Sequence, residues 1–141
     1  IFNEDDVNFF HKSIENVCDK HDKKYYPDFK KQCDEYFYLP HRDEPRGEGG
    51  IFFDHLNNND FKRDFDFIHD FGEDILKTIC SIIEIRKDKT WSQEEKDIQL
   101  YKRGRYVEFN LLWDRGTLFG LKTGGSTEAI LMSMPPTAKW K

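Results

Sequence analysis

Near the start of the chain Val7, Phe10, Ile14 and Val17 recur at helical spacing, and from Arg105 onward the apolar period shortens to two. The first pattern predicts a helix. Asn3 is its N-cap, and Asp5 and Asp6 sit favourably at its positive end. Pro27 opens a second helix, where its missing N–H costs nothing, with Phe29, Cys33 and Phe37 on its apolar face and Pro40 as its stop. IFFDHL (51–56) reads as a short buried strand, because three consecutive apolar residues leave no water-facing side. Asn57 to Asp60 turn the chain into a long amphipathic helix marked by Phe61, Phe65, Ile68, Ile75, Ile79 and Ile82. Ser92 and Glu95 form a capping-box pair for another helix.

In the last third, Val107, Phe109, Leu111 and Trp113 alternate with Tyr106, Glu108, Asn110 and Leu112. Turns at Asp114-Arg115-Gly116 and Thr123-Gly124-Gly125 flank a returning strand at Thr117 to Leu121, and Ala129 to Met134 supplies a third strand that Pro135-Pro136 stops. Helices first and a β-meander last predict an α+β fold with an antiparallel sheet.

A length of 141 residues fits one domain or a large piece of one, and thirteen Phe, six Tyr and three Trp are enough for a core. The net charge of −5 argues against a general nucleic-acid binder. Local basic clusters (Lys102, Arg103 and Arg105; Arg42 and Arg46) suit a small anionic ligand better than a polymer. Three cysteines without a C-x-x-C pair indicate reduced thiols, and no run is long enough to span a membrane. The chain starts on an apolar pair without Met, which raises the expectation of a fragment or a processed product.

Four places could carry chemistry. The loop HRDEPRG (41–47) holds two arginines four apart that can clamp a carboxylate bidentately; a solvated loop with internal salt bridges is the alternative. TGGST (123–127) is either a plain hairpin turn or a nest of amides for an anion. His11 and His41 lack the partner at i+3 or i+4 of a helical metal site. Asp54 and His55 end the short strand on opposite faces, and Glu108 and Asn110 either bond to the charged loop or face water. No P-loop, dinucleotide fingerprint or G-x-S-x-G occurs.

Two long stretches, YPDFKKQCDEYFYLPHRDEPRGEGGIFFDHL and QLYKRGRYVEFNLLWDRGTLFGLKTGGSTEAILMSMPP, together with FFHKSIENVCDKHDKKYYP, resemble the oxygen-dependent coproporphyrinogen-III oxidases of haem biosynthesis. The likeness covers nearly the whole chain. It implies conversion of two propionates of coproporphyrinogen III to vinyl groups, giving protoporphyrinogen IX and carbon dioxide with O2 as oxidant and no organic cofactor. It implies a large flat antiparallel β-sheet flanked by helices on both faces, here partial, and a homodimer joined through Tyr106 to Lys141. By the same resemblance Arg42, Arg46, Gly124, Gly125 and Ser126 bind substrate. His11 and His41 match two of four histidines sometimes assigned to a divalent metal such as manganese. Asp54 and Glu108 are secondary candidates.

The catalytic proton-donor histidine is expected in an N-terminal part of the family's chain outside these residues, together with an Asn-Val-Arg motif, so the 141 residues alone are expected to be inactive. The family's terminal helix is expected to be absent too. Ser126 stands where members usually carry Arg, Glu48 where they carry a small apolar residue, His55 where they carry Asp and Gln32 where they carry Trp. The expected compartment is the cytoplasm, with the mitochondrial intermembrane space or the plastid as alternatives. Two other readings stand beside this one. One is a non-catalytic tetrapyrrole-binding or dimerisation fragment. The other is an RNA-binding module around RGRYVEF, which the negative charge opposes.

Overall fold

A computed structural model of the chain describes residues 3–141, which fall into two compact units. The first unit comprises residues 3–36 and Glu48–Thr90, the second Phe37–Gly47 and Trp91–Lys141.

The first unit is built from α1 (Glu4–His21), α2 (Tyr25–Tyr36) and α3 (Phe61–Arg86). Asn3 caps α1 as its sequence predicts, accepting from the amides of Asp5 at 3.0 Å and Asp6 at 3.3 Å. α2 begins two residues before Pro27, which therefore lies in the first turn, where no intrahelical N–H is required. Asp60 caps α3 through the Arg63 amide at 3.1 Å.

α1 and α3 run antiparallel. Asp6 is paired with Arg86 at 2.8 Å, Ser13 with Thr78 at 2.6 Å, and His21 with Asp70 at 3.0 Å. Their shared core is Ile14, Cys18, Tyr25, Phe29 and Phe67, with Phe10, Ile51, Phe53 and Phe71 packed against it. Phe67 is fully buried, and its ring lies 4.7 Å from Tyr25 and 5.8 Å from Phe53. Truncating so enclosed a ring costs about 3–5 kcal/mol.

The IFFDHL segment is not a strand. It crosses α2 as an irregular stretch, with the Phe52 amide donating to the Phe29 carbonyl at 3.1 Å and the Phe52 ring stacked 4.6 Å from Tyr36. His55 has φ +57, which breaks the extended path, and no neighbouring strand is present within this unit to accept a ladder.

The second unit contains a two-stranded antiparallel sheet, β1 (Tyr38–Leu39) and β2 (Glu44–Pro45), followed by α4 (Gln93–Leu112), α5 (Arg115–Lys122) and α6 (Thr127–Leu131). The predicted meander is overturned here, because its first two strands are helical and its third, Ala129 to Met134, lies in α6 as far as Leu131 and then turns. The Ser92–Glu95 capping box forms as expected, with bonds of 2.6 and 3.2 Å, and starts α4. The helix then continues through Arg105 to Leu112, because each N–H finds a carbonyl four residues back. A strand would need a neighbour, and among the described residues β1 and β2 pair only with each other. Arg, Glu and Leu in this stretch are good helix formers.

Asp114 is a cap rather than a hairpin turn, accepting from the Thr117 amide at 2.7 Å, and Ser126 caps α6. The described residues are thus helix-rich with one small sheet. Leu39 and Phe109 are buried against each other's elements, with the Phe37 ring 5.1 Å from Phe109. The C-terminal residues run back along α4, where the Lys139 amide donates to the Leu100 carbonyl at 3.1 Å.

Candidate functional site

The second unit brings the charged loop onto α4. The short β1–β2 ladder pins the loop between Leu39 and Glu44, and Asp43 adopts φ +53 at its bend. Arg42 then meets Glu108 in a bidentate pair, Nε to Oε2 and Nη2 to Oε1, both at 2.6 Å. Trp113 Nε1 donates to His41 Nδ1 at 3.0 Å, and the two rings stack at 5.9 Å. A neutral imidazole that accepts at Nδ1 carries its proton on Nε2, so His41 donates from Nε2 to Glu108 Oε2 at 2.9 Å.

Arg105 completes the cluster. Its Nε donates to Glu44, its Nη1 lies 3.8 Å from Glu108 Oε1, and that buried nitrogen has no hydrogen-bond partner. The Glu108 side chain is only 11% exposed, yet its pKa is held down to about 2. The Arg42 hydrogen bonds are the chief cause; burial opposes them, while His41 and the positive charges of Arg42 and Arg105 add to them. The Arg42 pKa is raised by the same bonds.

Arg46 is engaged differently. Its guanidinium carbon sits 4.2 Å from the Phe37 ring centre, 5.3 Å from Phe109 and 5.4 Å from Tyr106. Arg42 and Arg46 are therefore not one shared fork: one holds a carboxylate, the other lies among aromatic rings.

The Gly124–Ser126 corner sits between α5 and α6. Gly124 has φ +73 and its amide donates to the Leu121 carbonyl at 3.4 Å, while the Gly125 amide donates to Gly120 at 2.9 Å. Both amides close the end of α5, which fits a helix C-cap rather than an open anion nest. Ser126 Oγ accepts from the Ala129 amide at 3.4 Å. Asn110, the partner of Glu108 in the sequence reading, turns back to the Tyr106 carbonyl at 2.8 Å.

His11 and Asp54 belong to the first unit. His11 Nε2 meets Glu48 at 2.6 Å and its Nδ1 meets the Tyr26 hydroxyl at 3.1 Å; Asp54 lies on the exposed end of the IFFDHL stretch. Both ring nitrogens of His11 and both of His41 are thus engaged by protein groups. No cluster of three or more His, Cys, Asp or Glu among the described residues is placed to hold a metal ion, so these side chains do not fit a metal site as they stand. Among the described residues no helix is long and apolar enough to cross a membrane.

Sequence reasoning named Arg42, His41 and Glu108. It missed Trp113 as the ligand that orients His41 and Arg105 as the second cation on Glu108. The usable signal was the i, i+3 spacing of Arg105 and Glu108, which places both on one helix face.

A family model described as Coproporphyrinogen III oxidase matches residues 1–141. The oxygen-dependent coproporphyrinogen-III oxidase of Francisella tularensis subsp. holarctica is 58% identical over 138 residues, which is 98% of this chain and 45% of the relative. The protein of that name from Francisella philomiragia has the same identity and coverage, and the one from Rickettsia bellii is 56% identical over 137 residues, 97% of this chain and 49% of the relative. The chain spans about half the length of the curated relatives it matches. With its whole length matched, this chain belongs to the coproporphyrinogen III oxidase family.

Proposed function

We propose that the polypeptide carrying this chain oxidatively decarboxylates two propionates of coproporphyrinogen III to vinyl groups, with O2 as the oxidant. The observation that carries the reading is the family match along all 141 residues. The local chemistry supports it. Arg42, Arg105 and His41 already surround one carboxylate, that of Glu108, and Arg105 Nη1 keeps an unspent donor. A substrate propionate carries the same group as Glu108 and suits the same guanidinium fork. Each of the two decarboxylations breaks the bond to the carboxylate and one C–H bond on the neighbouring carbon, releasing carbon dioxide, one proton and two electrons, and one O2 takes the two electrons with that proton and one from solvent to give hydrogen peroxide. In this reading the chain's own residues bind and orient carboxylates, and the histidine that donates protons lies elsewhere in the polypeptide.

The finer parts belong to the same proposal. Arg46 and the Gly124–Gly125–Ser126 corner serve substrate binding, the corner by close backbone approach rather than by its glycine amides, which are bonded within the chain, and Asp54 is a secondary candidate. The Tyr106 to Lys141 segment pairs subunits, supported by exposed Phe119, Met132 and Trp140 within it. The extended sheet forms where partner strands are supplied by the longer polypeptide. The bacterial relatives favour a cytoplasmic setting.

The test is kinetic. In the full-length polypeptide, aerobic coproporphyrinogen III is converted and the product is read by protoporphyrin fluorescence after oxidation. Arg42→Leu raises KM more than it lowers kcat. An unchanged kcat/KM sinks the assignment of Arg42, and absent turnover in the parent polypeptide sinks the activity.

A further inference from the structure

Two of the chain's own carboxylates sit on guanidinium groups in the second unit, and they are held unequally. Glu108 accepts two hydrogen bonds of 2.6 Å from Arg42 and one of 2.9 Å from His41, and its side chain is 11% exposed. Glu44 accepts from Arg105 Nε, and its side chain is 35% exposed. The short ladder sets its place. Glu44 pairs with the fully buried Leu39, which fixes the backbone and leaves the carboxylate over Arg105 at the rim of the cluster.

Arg105 has donors to spare. A guanidinium offers five N–H groups in a fixed fork. Arg105 Nε is engaged by Glu44, whereas its buried Nη1 lies 3.8 Å from Glu108 Oε1 and has no hydrogen-bond partner. Glu108 Oε1 is drawn to Arg42 Nη2 instead. Buried donors are ordinarily satisfied, so an orphan at the side of an anion-binding fork points to a group the chain itself does not supply.

We propose that Arg105 is a carboxylate-binding residue and that Glu44 is its displaceable internal occupant. The incoming group is a carboxylate on a flexible arm, which takes over the Nε donor as Glu44 swings out to solvent. Glu44 leaves more readily than Glu108, because it is the more exposed of the two and lacks the bidentate Arg42 contact. The exchange keeps the charge balanced. One carboxylate replaces another on the same cation, so the guanidinium is never stranded in a partly buried place without an anion. A neutral arm of the same shape, such as an ester, gains no entry by this route. Only the identity of the arm, a propionate of the tetrapyrrole, rests on the proposed function; the roles of Arg105 and Glu44 rest on the geometry.

The test titrates the 141-residue chain, labelled with nitrogen-15, with sodium propionate at constant ionic strength, and uses helical circular dichroism as the check on folding. The Arg105 Nε–H resonance reports which anion is bound. Glu44→Gln is expected to bind propionate about tenfold more tightly than the parent chain, the factor that one charge-assisted hydrogen bond gives. At saturation its Nε resonance returns towards the parent position. In an Arg105→Leu background, Glu44→Gln gives no gain, which separates release of the fork from mere removal of a negative charge. Equal affinity in Glu44→Gln and the parent, an Nε resonance that ignores propionate, or a gain that survives Arg105→Leu overturns the proposal. If Arg105→Leu does not fold, the Nε resonance decides alone. Coproporphyrin and its tetramethyl ester form the second arm. If propionate shows the gain while coproporphyrin binds no better than the ester, Arg105 and Glu44 keep their roles and the tetrapyrrole reading fails.

Discussion

Arg42 and Glu108, 66 residues apart, face each other through two hydrogen bonds of 2.6 Å and lock the charged loop onto the middle of α4. This pair dictates an acid response. The Glu108 pKa is depressed from 4.5 to about 2, so its stabilising contribution is fully present above pH 4.5 and is lost as the pH falls through about 2. Solvent screening limits the effect to about 1 kcal/mol. Denaturant titrations of the parent chain and Glu108→Gln at about pH 6 and about pH 2 check this. The stability gap between the two proteins is wider at the higher pH. A gap that does not change with pH removes the ion pair as its cause.

Glu108 also occupies the guanidinium that the proposed function assigns to a propionate. Neutralising it therefore releases Arg42 for an incoming carboxylate. Glu108→Gln is expected to bind coproporphyrin, a stable tetracarboxylate probe, about tenfold more tightly, which is one charge-assisted hydrogen bond's difference. Arg42→Leu is expected to weaken the same binding. Fluorescence titration reads both. Equal affinity in all three proteins separates this cluster from tetrapyrrole binding.

What could be read from the residues alone was what is local. Asn3, Ser92 and Glu95 act on amides two or three residues away, so their caps were visible in the sequence. The spacing of Ile14 and Val17 marked the side that α1 buries, whereas on α3 the marker residues Phe61, Phe65, Ile68 and Ile79 stay exposed and the fully buried ring is Phe67, which the pattern did not single out. The failure lies in residues 105–134. Eight alternating residues fit a strand, but they also fit a helix that buries little, and in α4 only Phe109 of that stretch is buried while Leu111, Leu112 and Trp113 stay exposed. Which pattern wins depends on whether neighbouring strands exist, and that is not a property of the segment. The same error hid part of the site. Trp113, placed on an apolar sheet face, is instead the donor that orients His41.

The three thiols divide by access. Cys18 is wholly buried, and burial first, then the Asp19 carboxylate, pushes its pKa up to about 12. Cys33 is buried as well, whereas Cys80 is exposed on α3. Thiolates are the reactive form, so Cys80 is the thiol that a disulfide reagent reaches in the folded chain. One equivalent should react quickly at neutral pH, and the other two only on denaturation. Rapid reaction of Cys18, mapped by mass spectrometry, contradicts the packing of α1 against Phe67.

Gly104 tests the attachment of the C-terminal segment to α4. A Cβ at this position would run into the carbonyl oxygen of Lys139 and lie 3.4 Å from the Trp140 ring. Two effects compete in Gly104→Ala. Alanine favours the helix by about 1 kcal/mol, yet the obstructing atom belongs to backbone and cannot rotate away. The clash is expected to win locally, so that residues 135–141 detach while α4 keeps its helicity. The Lys139 amide, bonded to Leu100 at 3.1 Å, then loses protection from hydrogen exchange, and the Lys139–Asp97 ion pair at 2.7 Å goes with it. Asp97→Asn is the control, because it removes the ion pair and leaves the amide bond in place. Full protection of Lys139 in Gly104→Ala, with only the control altered, shows that charge rather than close packing holds the segment to the helix.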